Sequence, residues 1–296
     1  MGVCSRDDTG MNARTPRPVY CSTWHLHHNL VLARDICAGR FTHAGATVVM
    51  GGQPDWTRKD LRAMPAWWAE CIEFNYTLDL AFAFHTIREQ RYLDTWQRVV
   101  GAWAADMRPD YGSPDALARR VQNWLYSWAA LEESLSFTEL EPIVQETVVE
   151  SLCRQAQHLK TRLASKGHRR TEQLYALLVV ALALPDQEGS ADLRRFAWPE
   201  LHRRMLVEFP IDRRRHRAVG AHESMVELRT FLAARENARR FGLPVQASFD
   251  EHLMAAVERA LMPQPEETSM PFPVTDPRDS LAIAAELLRR PFASRS

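Results

Sequence analysis

His168, Arg169 and Arg170 stand in a row where a helix is expected to begin, which makes them the first place in the chain where side chains could act together. Free backbone N–H groups in a first helical turn add to the pull of such a cluster on an anion, so a carboxylate suits it. His222 and Glu223 open another long helix, and either can serve as a base once burial strips its water. Charge placed against a carboxylate, with a base near the adjacent acidic C–H, is what an elimination needs. Each group also has a plain reading. The basic run can be a solvated helix end, Glu223 an acid favourably placed at a helix N-terminus, and His222 a surface residue.

Other constellations are weaker. Glu223 and Glu227 share a helix face with His222 nearby, but His-Glu-x-x-x-Glu is not the His-Glu-x-x-His spacing of zinc sites. In Trp24–Asn29, His25 and Asn29 share a face while His27 and His28 diverge, so a polar first turn is the better reading. Gly51-Gly52 lacks the Lys-Ser/Thr and the helix start of a phosphate loop. No metal and no cofactor is expected. Arg120 and Asn123 accompany Trp124 and Trp128. An arginine beside exposed aromatics would suit a sugar ring with an acidic group, yet tryptophans four apart on one face are better explained as core. The basic run Asp212–Arg217 has no aromatic interleaving and reads as a solvated connector.

These residues must be positioned by helices. The 296 residues are 46% apolar, enough for a sizeable core, and 37 basic residues balance 37 acidic ones. That balance argues against a general nucleic-acid binder. Five scattered cysteines without a C-x-x-C pair suit a reducing compartment. With no secretory h-region and no apolar run of about 18 residues, a soluble cytoplasmic protein is expected, with no membrane partner. Residues 1–19 read as a disordered tail and 20–296 as one domain.

After a first helix over Trp24–Ala38 comes the one strand-like run, Ala46–Met50. Long helices then follow almost without break: Trp67–Gln90, Tyr92–Met107, Pro114–Leu131 with Ser113 as N-cap, and Thr138–Ser165 behind a Thr138/Glu141 capping box. Arg170–Leu184, Ala191–Glu208 with a kink or a division into two pieces at Pro199, Ala221–Leu243, Phe249–Leu261 and Asp279–Arg290 complete the set. The helix from Ala221 is the most telling. Met225, Leu228, Phe231, Leu232, Ala238 and Phe241 share one face, Arg229, Arg235, Glu236, Arg239 and Arg240 occupy much of the rest, and Gly242 sits where a left-handed cap belongs. Short connections favour antiparallel hairpins, arranged as an α/α toroid or an α-solenoid.

Four windows together resemble the helical domain of the heparinase II/III-like polysaccharide lyases. They are Phe74-Asn75-Tyr76 through Leu80-Ala81, Arg119–Trp124, Gly167–Leu177 and Arg229–Leu243, with Pro271–Asp279 similar to a loop that follows. The resemblance covers roughly residues 41–290. It implies an all-α, incomplete α/α toroid of helical hairpins, here without the β-sandwich that follows it in the family. In that family an Asn neutralises a uronate carboxylate, a neighbouring His assists, and a Tyr moves the proton in a β-elimination across C4–C5. Here the Asn position falls on His168, the His position on Arg169 and the Tyr position near Glu223, beside His222.

The resemblance implies cleft roles for Arg120 and Asn123, and for Asn75 and Tyr76. Tyr20, Tyr111 and Tyr175 could each stand in for the displaced tyrosine. Tyr175 lies seven residues after His168, about two turns on along one face. The expectation is therefore a lyase-like protein with an altered catalytic set, acting on an acidic saccharide or a carboxylated small molecule. Arg169 and Arg170 would hold the anion beside His168, with His222 or Glu223 as base and Tyr175 as a further candidate. Its alternatives are a non-catalytic carbohydrate-binding or scaffold protein and a solenoid adaptor. A homo-oligomer, or a separate chain supplying the missing sandwich, is compatible with each.

Overall fold

The computed structural model describes residues 15–21, 28–106, 111–134, 140–211 and 221–261, without the side chains of 221–224 and 261. The expected helix at Asp279–Arg290, the proline-rich loop before it, Thr138 of the capping box and the basic run at 212–217 lie outside these residues.

Helix α1 (Leu30–Cys37) begins at Asn29, whose side chain caps the Leu32 N–H at 3.0 Å. Strands β1 (Arg40–His43) and β2 (Ala46–Val49) form an antiparallel hairpin with Arg40 opposite Val49. Ala44 and Gly45 both take positive φ, as a two-residue hairpin turn requires. The sequence marked β2 and left its partner unread.

The expected helix over Trp67–Gln90 is two helices, α3 (Pro65–Cys71) and α4 (Tyr76–Ile87), preceded by the single turn α2 (Lys59–Arg62). The break falls at Phe74, a non-glycine residue with φ 59°. Its fully buried ring is gripped edge-on by Trp103 and Trp124, with centroids at 5.1 and 5.4 Å, and this packing outweighs the cost of the left-handed conformation.

Then come α5 (Gln90–Asp106), α6 (Pro114–Ser134), α7 (Pro142–Lys160), α8 (Gly167–Ala183), α9 (Ser190–Glu208), α10 (Ala221–Arg240) and α11 (Ala247–Leu261). Ser113 does cap α6, accepting the Ala116 N–H at 3.1 Å. Pro199 lies inside an uninterrupted α9. Gly242 takes φ 69° after α10, and the Leu243 N–H closes onto the Ala238 carbonyl at 2.8 Å.

The helices form two layers. In the inner one α1 packs on α4, α4 on α6, α6 on α8 and α8 on α10. In the outer one α5 packs on α7 and α9 on α11, each helix being the return arm of a hairpin whose first arm is inner. This is an all-α partial toroid. Outer-facing sides of the inner helices fill one contiguous core. Of the expected α10 face, Leu228, Phe231, Leu232 and Ala238 are buried in it. Residues 15–21, most of them within the stretch expected to be a tail, lie against the ring. The Arg17 N–H donates to the Ala183 carbonyl at 2.8 Å and Val19 is buried.

Candidate functional site

Inner helices have two environments to satisfy. One face meets the outer layer, and another faces the centre of the ring, where a cleft of about 490 Å³ opens. Four of the inner helices line that cleft: α4 with Leu78 and Asp79, α6 with Arg119, Gln122, Asn123 and Tyr126, α8 with Glu172 and Tyr175, and α10 with Val226, Arg229, Thr230 and Ala233, the last three sets falling at helical spacing. His28 enters from the chain before α1, and Glu73 and Asn75 from the turn around Phe74.

The left-handed turn at Phe74 places Glu73 and Asn75 on the cleft wall, and Asn123 fixes them. Its Nδ2 donates to the Glu73 carbonyl and to Asn75 Oδ1, both at 2.8 Å. A ladder of charge starts there. Arg119 donates to both Glu73 carboxylate oxygens at 2.9 and 3.1 Å and stands 3.9 Å from Glu172. Burial raises the Glu172 carboxyl above its ordinary range, against the pull of Arg119, His168 and Arg229. Arg229 is the far end. Burial lowers its guanidinium pKa, Glu172 is its strongest acidic neighbour, and among the described residues it forms no hydrogen bond or ion pair.

Also in the lining, Asp79 accepts the Asn29 N–H at 2.8 Å and stands 3.8 Å from His28 Nδ1, with the His28 ring stacked on Phe82 at 4.4 Å. A pair of phenols, Tyr126 and Tyr175, borders the cleft too. Tyr126 donates to the Tyr175 hydroxyl at 2.7 Å, and Asn237 Nδ2 donates to the same oxygen at 3.0 Å. Both phenols are pushed up by burial.

Of the residues singled out in the sequence, Asn75, Asn123 and Tyr175 line this cleft. The anion cluster is not assembled. Consecutive helical residues point about 100° apart, so Arg169 faces Asp115 at 3.5 Å while Arg170 bonds Glu200 at 3.2 Å and the Ala164 carbonyl at 2.8 Å. His168 is half-buried one turn before Glu172, outside the lining residues.

Arg120 is corrected from a cleft residue to a core one. It is fully buried, donates to Gln155 Oε1 at 2.7 Å and to the Ile72 carbonyl at 3.1 Å, and lies over the Trp103 ring. With no carboxylate against it among the described residues, burial lowers its pKa to about 9. Tyr76 is likewise core, its ring 5.5 Å from that of Phe41, edge-on. Trp124 and Trp128 are core, as their spacing suggested. The side chains of His222 and Glu223 lie outside the described residues. Glu227 is buried and paired with Arg204 at 3.0 Å. Among the described residues no three His, Cys, Asp or Glu side chains gather as metal ligands, and no helix is long and apolar enough to cross a membrane.

Sequence reasoning missed His28, Glu73, Asp79, Tyr126, Glu172 and Arg229 as cleft residues. The available signal was the i, i+3, i+4, i+7 polar stripe on helices that also carry an apolar face, as in Arg119-Gln122-Asn123-Tyr126.

A ring of inner helices around a polar cleft, backed by outer return helices, is a helical fold that this chain shares with solved heparinase III structures. The chain is similar to the heparan sulfate lyase HepC from Pedobacter heparinus, with 17% identity, a TM-score of 0.65, and 83% of this chain on 41% of that one. It is similar to a heparinase III at 16% identity and TM-score 0.63, over 84% of this chain and 41% of that one. A further heparinase III matches at 13% identity and TM-score 0.59, over 85% of this chain and 42% of that one. The chain thus spans about two fifths of the length of these structures. No family model and no curated protein matches its sequence.

Proposed function

We propose that the cleft binds a carboxylated saccharide of the uronate type, or a related acidic metabolite, and that the protein is lyase-like, working by β-elimination or a related proton transfer. The observation that carries this reading is Arg229. Arg229 is a half-buried guanidinium facing a cleft, with Glu172 as its acidic neighbour but no hydrogen bond or ion pair among the described residues, and a ligand carboxylate would extend the ladder Glu73–Arg119–Glu172–Arg229. Elimination at a uronate begins by removing the proton beside that carboxylate, which builds enolate charge on it. Arg229 would hold that charge, and Glu172, whose proton affinity burial raises, would take the proton. His168, one turn before Glu172, tunes that carboxyl electrostatically. The name heparan sulfate lyase, carried by a protein of the same fold, fits an acidic polysaccharide as the substrate class.

The test is ultraviolet absorbance of the unsaturated uronate, with a panel of heparinoid, alginate and hyaluronan oligosaccharides. The wild type should generate the chromophore on at least one. Arg229→Ala should lower kcat/KM on it by about 10²-fold, the scale of losing one transition-state charge partner. An unchanged rate in Arg229→Ala would remove the guanidinium from the site. A second reading, a non-catalytic carbohydrate-binding protein, is favoured by the divergence of Arg169 and Arg170, which are engaged by Asp115 and by Glu200 and do not converge on one anion. It predicts Arg229-dependent stabilisation of the protein by the same oligosaccharides with no chromophore.

A further inference from the structure

Asn237 joins the chain at Tyr20 to the phenols that border the cleft. It is fully buried on α10, and the Tyr20 N–H donates to its Oδ1 at 2.7 Å. That bond fixes which end of the amide is which, so Nδ2 must face the other way. Nδ2 carries two hydrogens and lies 3.0 Å from three acceptors, the Tyr20 carbonyl, the Ala233 carbonyl and the Tyr175 hydroxyl, so one N–H is shared between two of them. The Tyr175 oxygen also receives the Tyr126 hydroxyl at 2.7 Å. An oxygen that already accepts two hydrogen bonds has one remaining direction for its own proton, and Tyr175 borders the cleft.

We propose that Asn237 is a positioning residue. Locked by the backbone of Tyr20, it joins Tyr126 in filling the acceptor side of the Tyr175 hydroxyl, so that the Tyr175 proton is presented to the cleft for the oxygen that leaves. This rests on the lyase reading above. Base removes the proton from C5, the C–H electron pair forms the C4–C5 double bond, and the C4–O bond breaks with its electron pair on oxygen. That oxygen takes the Tyr175 proton. The phenolate left behind is held by the N–H of Asn237 and the O–H of Tyr126, then recovers a proton from water. Burial, which keeps Tyr175 protonated, suits a donor and not a base.

The test uses the full chain and two probes. One is an unsulfated oligosaccharide of alternating glucuronate and N-acetylglucosamine. The other is a 4-deoxy-4-fluoroglucuronoside, whose fluoride leaves without needing a proton. Asn237→Asp is nearly isosteric, and its carboxylate would draw the Tyr175 proton toward itself. It should lower kcat on the oligosaccharide on the order of 10²-fold with KM little changed, while the fluoride probe keeps near wild-type turnover. Tyr175→Phe, which keeps the ring and the packing, should show the same split. Parallel losses on both probes, or no loss on the oligosaccharide, would overturn the assignment. If the wild type releases unsaturated uronate from neither probe, the lyase reading fails and the donor role goes with it. If it does so and the split is absent, only the role of Asn237 and Tyr175 fails.

Discussion

Glu172 is held between opposing influences, and their balance sets a pH dependence. Burial raises its carboxyl above the ordinary value of 4.5, and Arg119, His168 and Arg229 recover only part of that shift. A carboxyl whose folded-state pKa exceeds its unfolded one binds its proton more tightly when folded. It therefore favours the fold at low pH and loses that contribution as pH rises from the unfolded pKa through the folded one. Glu172→Gln removes the titration. The variant's melting temperature relative to wild type should climb as pH is raised from the ordinary carboxyl value through the higher folded-state one, then level off. A difference independent of pH across that range would contradict the assigned environment. In the sequence, Glu172 and Arg229 were polar positions on amphipathic helices, as a solvated surface would also give. Only the ring converts that face into a half-dry cleft. The basic run 168–170 drew attention because adjacency in sequence looks like convergence, whereas adjacent helical residues diverge.

Between α3 and α4 the chain departs from what local pattern could show. No glycine or proline marks residues 72–75, and the apolar content of Trp67–Gln90 runs on without a break. The turn exists because the Phe74 ring is held in a cluster of Trp103, Trp124 and Tyr76, contacts made across helices. Helix existence and C-cap chemistry, as at Gly242, were legible because they depend on near neighbours. This break depends on distant ones. A reversed ranking of substitutions should reveal it. Phe74→Ala should cost about 3–5 kcal/mol from the lost ring. Phe74→Gly should cost about 1 kcal/mol less than Ala, because only glycine takes φ 59° without strain. In a continuous helix glycine would be the worse of the two. Urea unfolding of both variants checks the order, and alanine as the milder change would contradict a left-handed turn here.

Across the whole ring, hairpins are joined by more than apolar contact. Arg204 of α9 is buried, and its guanidinium donates to Thr171 Oγ1 at 2.8 Å and the Gly167 carbonyl at 2.9 Å on α8, and to Glu227 at 3.0 Å on α10. It thus ties one hairpin to the next at the end of α8 nearest the cleft residues Glu172 and Tyr175. The toroidal layering itself was legible, since alternating long helices with short links admit few arrangements and the four sequence windows resembled one of them. The polar tie was not, because Arg204, Glu227 and Thr171 are far apart in sequence and each looks like an ordinary helix-surface residue. A buried ion pair is costly to break from one side and cheap to replace whole. Arg204→Met leaves Glu227 buried and unpaired, and should lower unfolding free energy by about 3–5 kcal/mol. The double variant Arg204→Met/Glu227→Leu removes both charges and should recover most of that loss. Denaturant titration of the two variants separates the cases. If the double variant is as unstable as the single one, the hydrogen bonds to Thr171 and Gly167, and not the charge of Glu227, hold the hairpins together. In that case the ring depends at this seam on backbone capture of the α8 N-terminus.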